Sequence, residues 1–234
     1  MSITSNLAAL HDRIARAAKH AGRNPDDIAL MAVSKTFPAT LILEAYEAGQ
    51  RSFGENRVQE FAEKAGGLEE LRDAEFHMIG HLQSNKAAKA AEIFPAIDSL
   101  DSAKLAQRLD AAAEKLGKTL AVLIEINVGG EEAKSGIAPD SLELEAILSG
   151  ASEWKHLRIR GLMTVPPFTD DPEGARPYFR QLRELRDRLR ARNLPSVSFD
   201  VLSMGMSHDF EVAIEEGSTC VRLGTAIFGT RAKP

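Results

Sequence analysis

One lysine, one arginine and two loops of small residues carry most of the chemistry this chain can do. The lysine is Lys35, in Ala32-Val33-Ser34-Lys35-Thr36-Phe37-Pro38. That run reads as a strand that ends on a lysine and turns at once into a helix. Counting by twos, Met31, Val33 and Lys35 share one strand face. Leu30, Ala32 and Ser34 share the other, also largely apolar, so the strand should be buried on both sides. Desolvation lowers the pKa of an amine held there, and a neutral amine attacks a carbonyl carbon to form a Schiff base. Taken alone, Lys35 also reads as a lysine that snorkels to solvent from a strand end.

The two loops are Ser203-Met204-Gly205-Met206-Ser207, with Asp209 just beyond, and Leu223-Gly224-Thr225-Ala226-Ile227-Phe228-Gly229. Small residues let backbone N–H groups approach an anion, and helix N-termini favour negative charge. Ser207, Gly224 and Thr225 are therefore candidate phosphate contacts. The same glycines also read as turn residues, and Ser207 as a helix N-cap. Arg222 lies in Cys220-Val221-Arg222-Leu223, facing opposite to Val221 and Leu223. A buried arginine needs a partner. Two readings stand: an ion pair with Asp200 or Glu125, or a donor to a heteroaromatic nitrogen. No His/Cys/Asp cluster has metal-ligand spacing, and no Gly-x-Ser-x-Gly occurs.

The elements that must position these groups alternate regularly. An amphipathic helix spans residues 6–21. Strands follow at 28–35, 51–54, 75–80, 96–100, 120–127, 157–163, 198–203 and 220–223. Helices between them span about 38–48, 55–64, 84–93, 102–116, 139–152, 176–193 and 207–216. Alternation of this kind implies crossover units and a parallel sheet, and eight units close into a (β/α)8 TIM barrel with an extra N-terminal helix. An open doubly wound sheet is the alternative, but no Gly-rich dinucleotide fingerprint follows the first strand. In a barrel, reactive groups stand at the C-terminal strand ends: Lys35, Asn56, His77 and His81, Asn127, Met163, Ser203 and Arg222. The loops after strands seven and eight are the usual phosphate site.

With 234 residues, 44% of them hydrophobic, the chain has ample length for a core, and residues 1–234 are expected to form one domain. A net charge of -5 argues against nucleic acid. The arginines of 176–192 alternate with Phe179, Leu182, Leu185 and Leu189 at helical spacing, as a solvated helix face does. The single cysteine, Cys220, excludes an internal disulfide, and no segment reaches the roughly 20 apolar residues that span a bilayer. No membrane partner and a cytoplasmic setting are expected.

A lysine for a Schiff base, a phosphate cup and an arginine near a ring together describe a pyridoxal phosphate site. Here the chain resembles the pyridoxal phosphate homeostasis proteins, relatives of the alanine racemase barrel. The matching stretches are 32–36, 53–56, 76–86, 160–163, 202–207 and 221–229, in order along the whole chain. The resemblance implies that Lys35 carries pyridoxal 5'-phosphate as an internal aldimine. It also implies that Asn56, Met163 and Ser203 line the ring, that Ser207, Gly224 and Thr225 hold the phosphate, and that Arg222 faces the pyridine nitrogen. Many relatives place a second lysine where this chain has Phe37. Lys134 is then a candidate second acceptor, although it also reads as a solvated loop lysine.

Two functions compete. A racemase needs a second acid/base on the far face of the ring. The racemase relatives take a tyrosine from a second domain or a partner chain, whereas Tyr46 and Tyr178 fall within helices here. An arginine at the pyridine nitrogen also weakens the ring as an electron sink. The preferred expectation is a monomeric binding protein, not an enzyme, that stores the cofactor and supplies or buffers it for apo-enzymes.

Overall fold

The computed structural model describes residues 2–131 and 134–230. In chain order the elements are α1 (Ile3–His20), β1 (Ala29–Val33), α2 (Ala39–Glu47), β2 (Ser52–Glu55), α3 (Val58–Ala65), β3 (Glu75–Met78), α4 (Ala87–Ile93), β4 (Ala96–Leu100) and α5 (Ala103–Lys115). Then come β5 (Leu120–Glu125), α6 (Leu142–Gly150), β6 (Leu157–Met163), α7 (Arg176–Arg190), β7 (Val197–Ser203), α8 (Phe210–Glu215), β8 (Cys220–Leu223) and α9 (Thr225–Phe228). The eight strands pair in parallel, each with its sequence neighbour, and β8 returns to β1. The barrel is closed, so the open doubly wound sheet is excluded.

Closure sets the site. The β1–β8 register puts Met31 beside Arg222 and Ala32 beside Leu223. The turn after β1 and the loop after β8 are therefore neighbours at the same end. Leu30 and Ala32 belong to the apolar layer between strands and helices, while Met31 and Val33 face the other way. Burial on both faces explains the near-continuous apolar composition of β1.

The extra helix α1 begins where the Ser2 side chain accepts the Ser5 N–H. Its stripe of Leu7, Leu10 and Ile14 is buried, each side chain contributing about 1.5–3 kcal/mol of transfer free energy. The helix lies against α8, α9 and α2. Arg13 grips Glu211 with two bonds of 3.0 and 2.9 Å, and Asn6 donates to the Ile227 carbonyl. Helix α1 thereby fixes the segment after β8. The arginines of α7 are consumed within the molecule: Arg176, Arg180 and Arg183 converge on Glu216, which is 3% exposed.

Boundaries differ from the sequence reading for local reasons. Strand β1 stops at Val33, and Lys35 lies in the turn beyond. Strand β5 stops at Glu125, so Asn127 falls in a loop, where its amide donates to the Glu131 carbonyl. Helix α6 starts three residues after Pro139, because Ser141 caps it. Ser207 occupies a turn ahead of α8 rather than its first residue. The four-residue α9 is too short to show a periodic pattern.

Candidate functional site

The turn that carries Lys35 is built against local preference. Thr36 has φ +67°, a left-handed conformation unfavourable for a β-branched residue. A cluster on β2 and α3 holds it there. Glu60 accepts the Thr36 N–H. The Lys64 ammonium reaches the Ser34 and Phe37 carbonyls, at 3.3 and 3.4 Å, on either side of Lys35. It also bonds Glu55 and Glu60, and Ser34 Oγ donates to Glu55 at 2.7 Å. Burial pushes the Glu55 carboxyl up, and Lys64 and Ser34 only partly offset this. Burial also raises Glu60, but the Thr36 amide and Lys64 outweigh it and hold that acid below its ordinary value.

Lys35 opens into a cavity of about 600 Å³ at the C-terminal mouth of the barrel. That is the size of a small-ligand site. Of the eight residues singled out from sequence, Lys35, Asn56, Ser207, Arg222, Gly224 and Thr225 line this one cavity. Met163 and Ser203 do not. Both are fully buried at the ends of β6 and β7, paired with each other in register.

Ser203 stands behind Arg222. The guanidinium donates to Ser203 Oγ at 2.8 Å and to the Thr164 carbonyl at 2.7 Å. Burial lowers its pKa from the ordinary value, but an arginine keeps its charge. Neither carboxylate considered as its partner pairs with it. Asp200 is exposed and lies 4.0 Å from Arg190. Glu125 acts on Arg222 only through its charge, and among the described residues its Oε2 has no hydrogen-bond partner. Arg222 is thus a buried charged group held by neutral acceptors.

The loop after β7 is tied to β8 by the Arg222 backbone N–H, which donates to the Gly205 carbonyl at 2.9 Å. Gly205 has φ +96°, and a Cβ there would stand 2.6 Å from that of Ala213. Glycine is therefore required for the loop to fold back onto α8. Asp209 accepts the Met206 N–H, which fixes the turn holding Ser207. Ser207, Gly224 and Thr225 end up on one side of the mouth.

Sequence reasoning passed over Val165, Phe168, Met206 and His208, which also line the mouth. Phe168 is exposed and stacks near the His208 ring, with centroids 5.6 Å apart. It lies in a loop without regular structure, so no periodicity announced it. Lys134 reaches the cavity too, but it pairs with Glu131 and donates to the Pro166 carbonyl. His77 pairs with Asp98 and lines a separate cavity towards the N-terminal end of the barrel, not the mouth. Among the described residues no His/Cys/Asp/Glu group is arranged to hold a metal ion.

Comparison with known proteins agrees with this geometry. The family described as alanine racemase, N-terminal domain, matches residues 5–232. A pyridoxal phosphate homeostasis protein of Aquifex aeolicus is 46% identical over 231 residues, covering 99% of each chain. The structure of PipY from Synechococcus elongatus with PLP bound superposes with a TM-score of 0.84 at 39% identity, over 97% of this chain and 100% of that one. An alanine racemase of Clostridium difficile shares the fold, with a TM-score of 0.73 at 15% identity; this chain covers 57% of it.

Proposed function

The chain belongs to the pyridoxal phosphate homeostasis proteins, and from that premise we propose that it holds pyridoxal 5'-phosphate at the barrel mouth through Lys35, as a store that supplies or buffers the cofactor. When bound, the cofactor supplies an aldehyde carbon for an amine, a heteroaromatic nitrogen and a strongly anionic phosphate. The residues present fit that group. The observation that carries the reading is the convergence of Lys35, Arg222 and the last two loops on one cavity. The orphaned oxygen of Glu125 in the same wall marks a place where the protein's own hydrogen bonding is incomplete.

Each residue has a role that follows from its placement. The Lys35 amine is the nucleophile, oriented by the Lys64–Glu60 cluster under its turn. Arg222 faces the ring nitrogen. A fixed cation there opposes protonation of that nitrogen, which weakens the ring as an electron sink. Ser207, Gly224 and Thr225 hold the phosphate from one side, and Asn56 lines the ring. Ser203 and Met163 act from behind, Ser203 by aiming Arg222 and Met163 by filling the space beneath.

Storage, rather than racemisation, is supported by where the tyrosines lie. Tyr46 bonds Asp73 on the outer layer, and Tyr178 lies on α7. Neither lines the mouth, so neither offers an acid/base to the far face of a ring. A monomer in the cytoplasm, serving apo-enzymes, completes the proposal. No helix among the described residues is long and apolar enough to cross a membrane.

The test is to load the purified protein with pyridoxal 5'-phosphate, reduce it with borohydride and map the modified peptide by mass. The label should fall on Lys35; a label confined to another lysine refutes the assignment. Incubation with L-alanine should give no sustained racemisation, and robust turnover would replace storage with catalysis.

A further inference from the structure

The mouth contains one acid that the proposed function leaves unused. Glu125 ends β5, is 7% exposed and lines the same cavity as Lys35 and Arg222. Among the described residues its Oε2 has no hydrogen-bond partner. The backbone that carries it is held in place, and the facing loop packs close to its stem. The Ile137 N–H donates to the Glu125 carbonyl at 2.9 Å, and Gly136, at φ +97°, folds the loop back so closely that a Cβ there would stand 3.1 Å from Glu125 Cγ. A buried carboxyl oxygen without a partner is costly to keep. It is best explained by a ligand that completes it.

The charges around it favour the neutral acid. Burial and the Asp101 carboxylate beyond β4 push Glu125 up, and the attraction of Arg222 does not offset them, so its pKa reaches about 7. Asp101 is itself paired with His81. Lys134, in the loop after β5, is engaged by Glu131. Lys35, His81 and His208 share the cavity from the other walls.

We propose that Glu125 contacts the ligand as a neutral acid, donating a hydrogen bond to the phenolic oxygen beside the aldehyde carbon. The inference rests on the cofactor reading above and deepens it. In that reading the aldehyde goes to Lys35, the ring nitrogen to Arg222 and the phosphate to the loops after β7 and β8. The phenolic oxygen is the polar group left without a protein partner. An ionised Glu125 would repel it, whereas the protonated acid stabilises it. Binding therefore raises the acid's proton affinity, and the protein takes up a proton when the ligand enters above neutral pH.

The probe is 4'-deoxypyridoxine 5'-phosphate, which keeps the ring, phenol and phosphate but carries a methyl group in place of the aldehyde. It cannot bond covalently to Lys35, so only non-covalent recognition is measured. Calorimetry at about pH 8, in two buffers of different ionisation enthalpy, counts the protons exchanged. Wild-type protein should take up roughly one proton more per site than E125Q, which keeps the shape and hydrogen-bonding capacity but cannot titrate. At about pH 6 the difference should nearly vanish, because the free acid is already neutral. Glu125→Leu should weaken binding about tenfold. Equal proton uptake by wild type and E125Q at about pH 8, or unchanged affinity in Glu125→Leu, overturns the inference while Lys35 labelling still stands. Failure of the wild type to bind the probe overturns the inference, and the borohydride label on Lys35 then decides the cofactor reading by itself.

Discussion

The ammonium of Lys64 lies 2.9 and 3.0 Å from the two carboxylate oxygens of Glu55, at the foot of the turn that presents Lys35. Glu55 is fully buried, and the Lys64 side chain is 12% exposed. The pair joins β2 to α3 and caps the carbonyls on both sides of the candidate nucleophile. Placement of Lys35 is thus decided by charges 20 and 29 residues further along the chain.

Removing the Lys64 charge should cost far more than a surface ion pair does. Lys64→Met keeps the stem but leaves Glu55 buried and unpaired, a change worth about 3–5 kcal/mol. Denaturant unfolding should show that loss, and the double variant with Glu55→Gln should recover part of it. Affinity for pyridoxal 5'-phosphate should fall in the single variant, because Thr36 loses the support for its left-handed turn. A loss below about 1 kcal/mol would mean that the pair is solvated and does not hold the turn.

Gly80→Ala tests the adjoining part of the mouth, where the loops after β2 and β3 meet. A Cβ at Gly80 would stand 2.4 Å from the Asn56 carbonyl oxygen and 2.9 Å from its Cα. Both are backbone atoms, so the β2 loop itself must move. The variant should lose about 1–3 kcal/mol of stability. It should also bind pyridoxal 5'-phosphate more weakly, because Asn56 is displaced from the cavity. Unchanged affinity would remove Asn56 from the ligand's surroundings.

How much of this was legible in the sequence follows from the range of each signal. Period-two strands and period-3.6 helices are local, and β4, β6 and β8 have the limits read from the chain. Lys35, Arg222 and the small-residue loops announce their chemistry by residue type. The environment of an acid is not local. Glu125 reads as a partner for Arg222 until the fold shows Ser203 and Thr164 in that role and brings Asp101 close by. Strand alternation places Ser203 and Met163 inside the barrel, yet only the packing of Arg222 shows that both lie behind the cavity wall. The left-handed Thr36 was equally hidden, since what stabilises it comes from α3.

Towards the N-terminal end of the barrel, His77 and Asp98 form a second charged pair, with 3.1 Å between Nδ1 and Oδ1. Burial alone would lower the imidazole, but Asp98 and Glu75 outweigh it and raise its pKa to about 10. The folded protein then keeps a proton that the unfolded chain releases near pH 6.5. The stability from this pair is complete below about pH 6.5 and is lost as pH rises towards 10. Asp98 is 2% exposed, so His77→Gln should cost about 3–5 kcal/mol at neutral pH by stranding its charge. The gap between wild type and variant should narrow as pH approaches 10. A gap constant with pH would show that His77 is neutral in the fold.

Glu125 should give the opposite result, a variant more stable than the wild type. In the ligand-free protein its carboxyl titrates at about 7, against an ordinary value of 4.5. Below about pH 4.5 both folded and unfolded chains carry the proton, and the group contributes no difference. Between about 4.5 and 7 the unfolded chain ionises while the folded one does not, so stability falls as pH rises. Above 7 the full penalty applies, about 3 kcal/mol for a shift of this size. Glu125→Gln removes the titration and should raise the melting temperature by roughly 5–10 °C at about pH 8, with little change at about pH 5. A variant with the wild-type melting curve at both pH values would mean that Glu125 is already ionised and satisfied in the free protein, and that its isolation in the barrel wall carries no energetic weight.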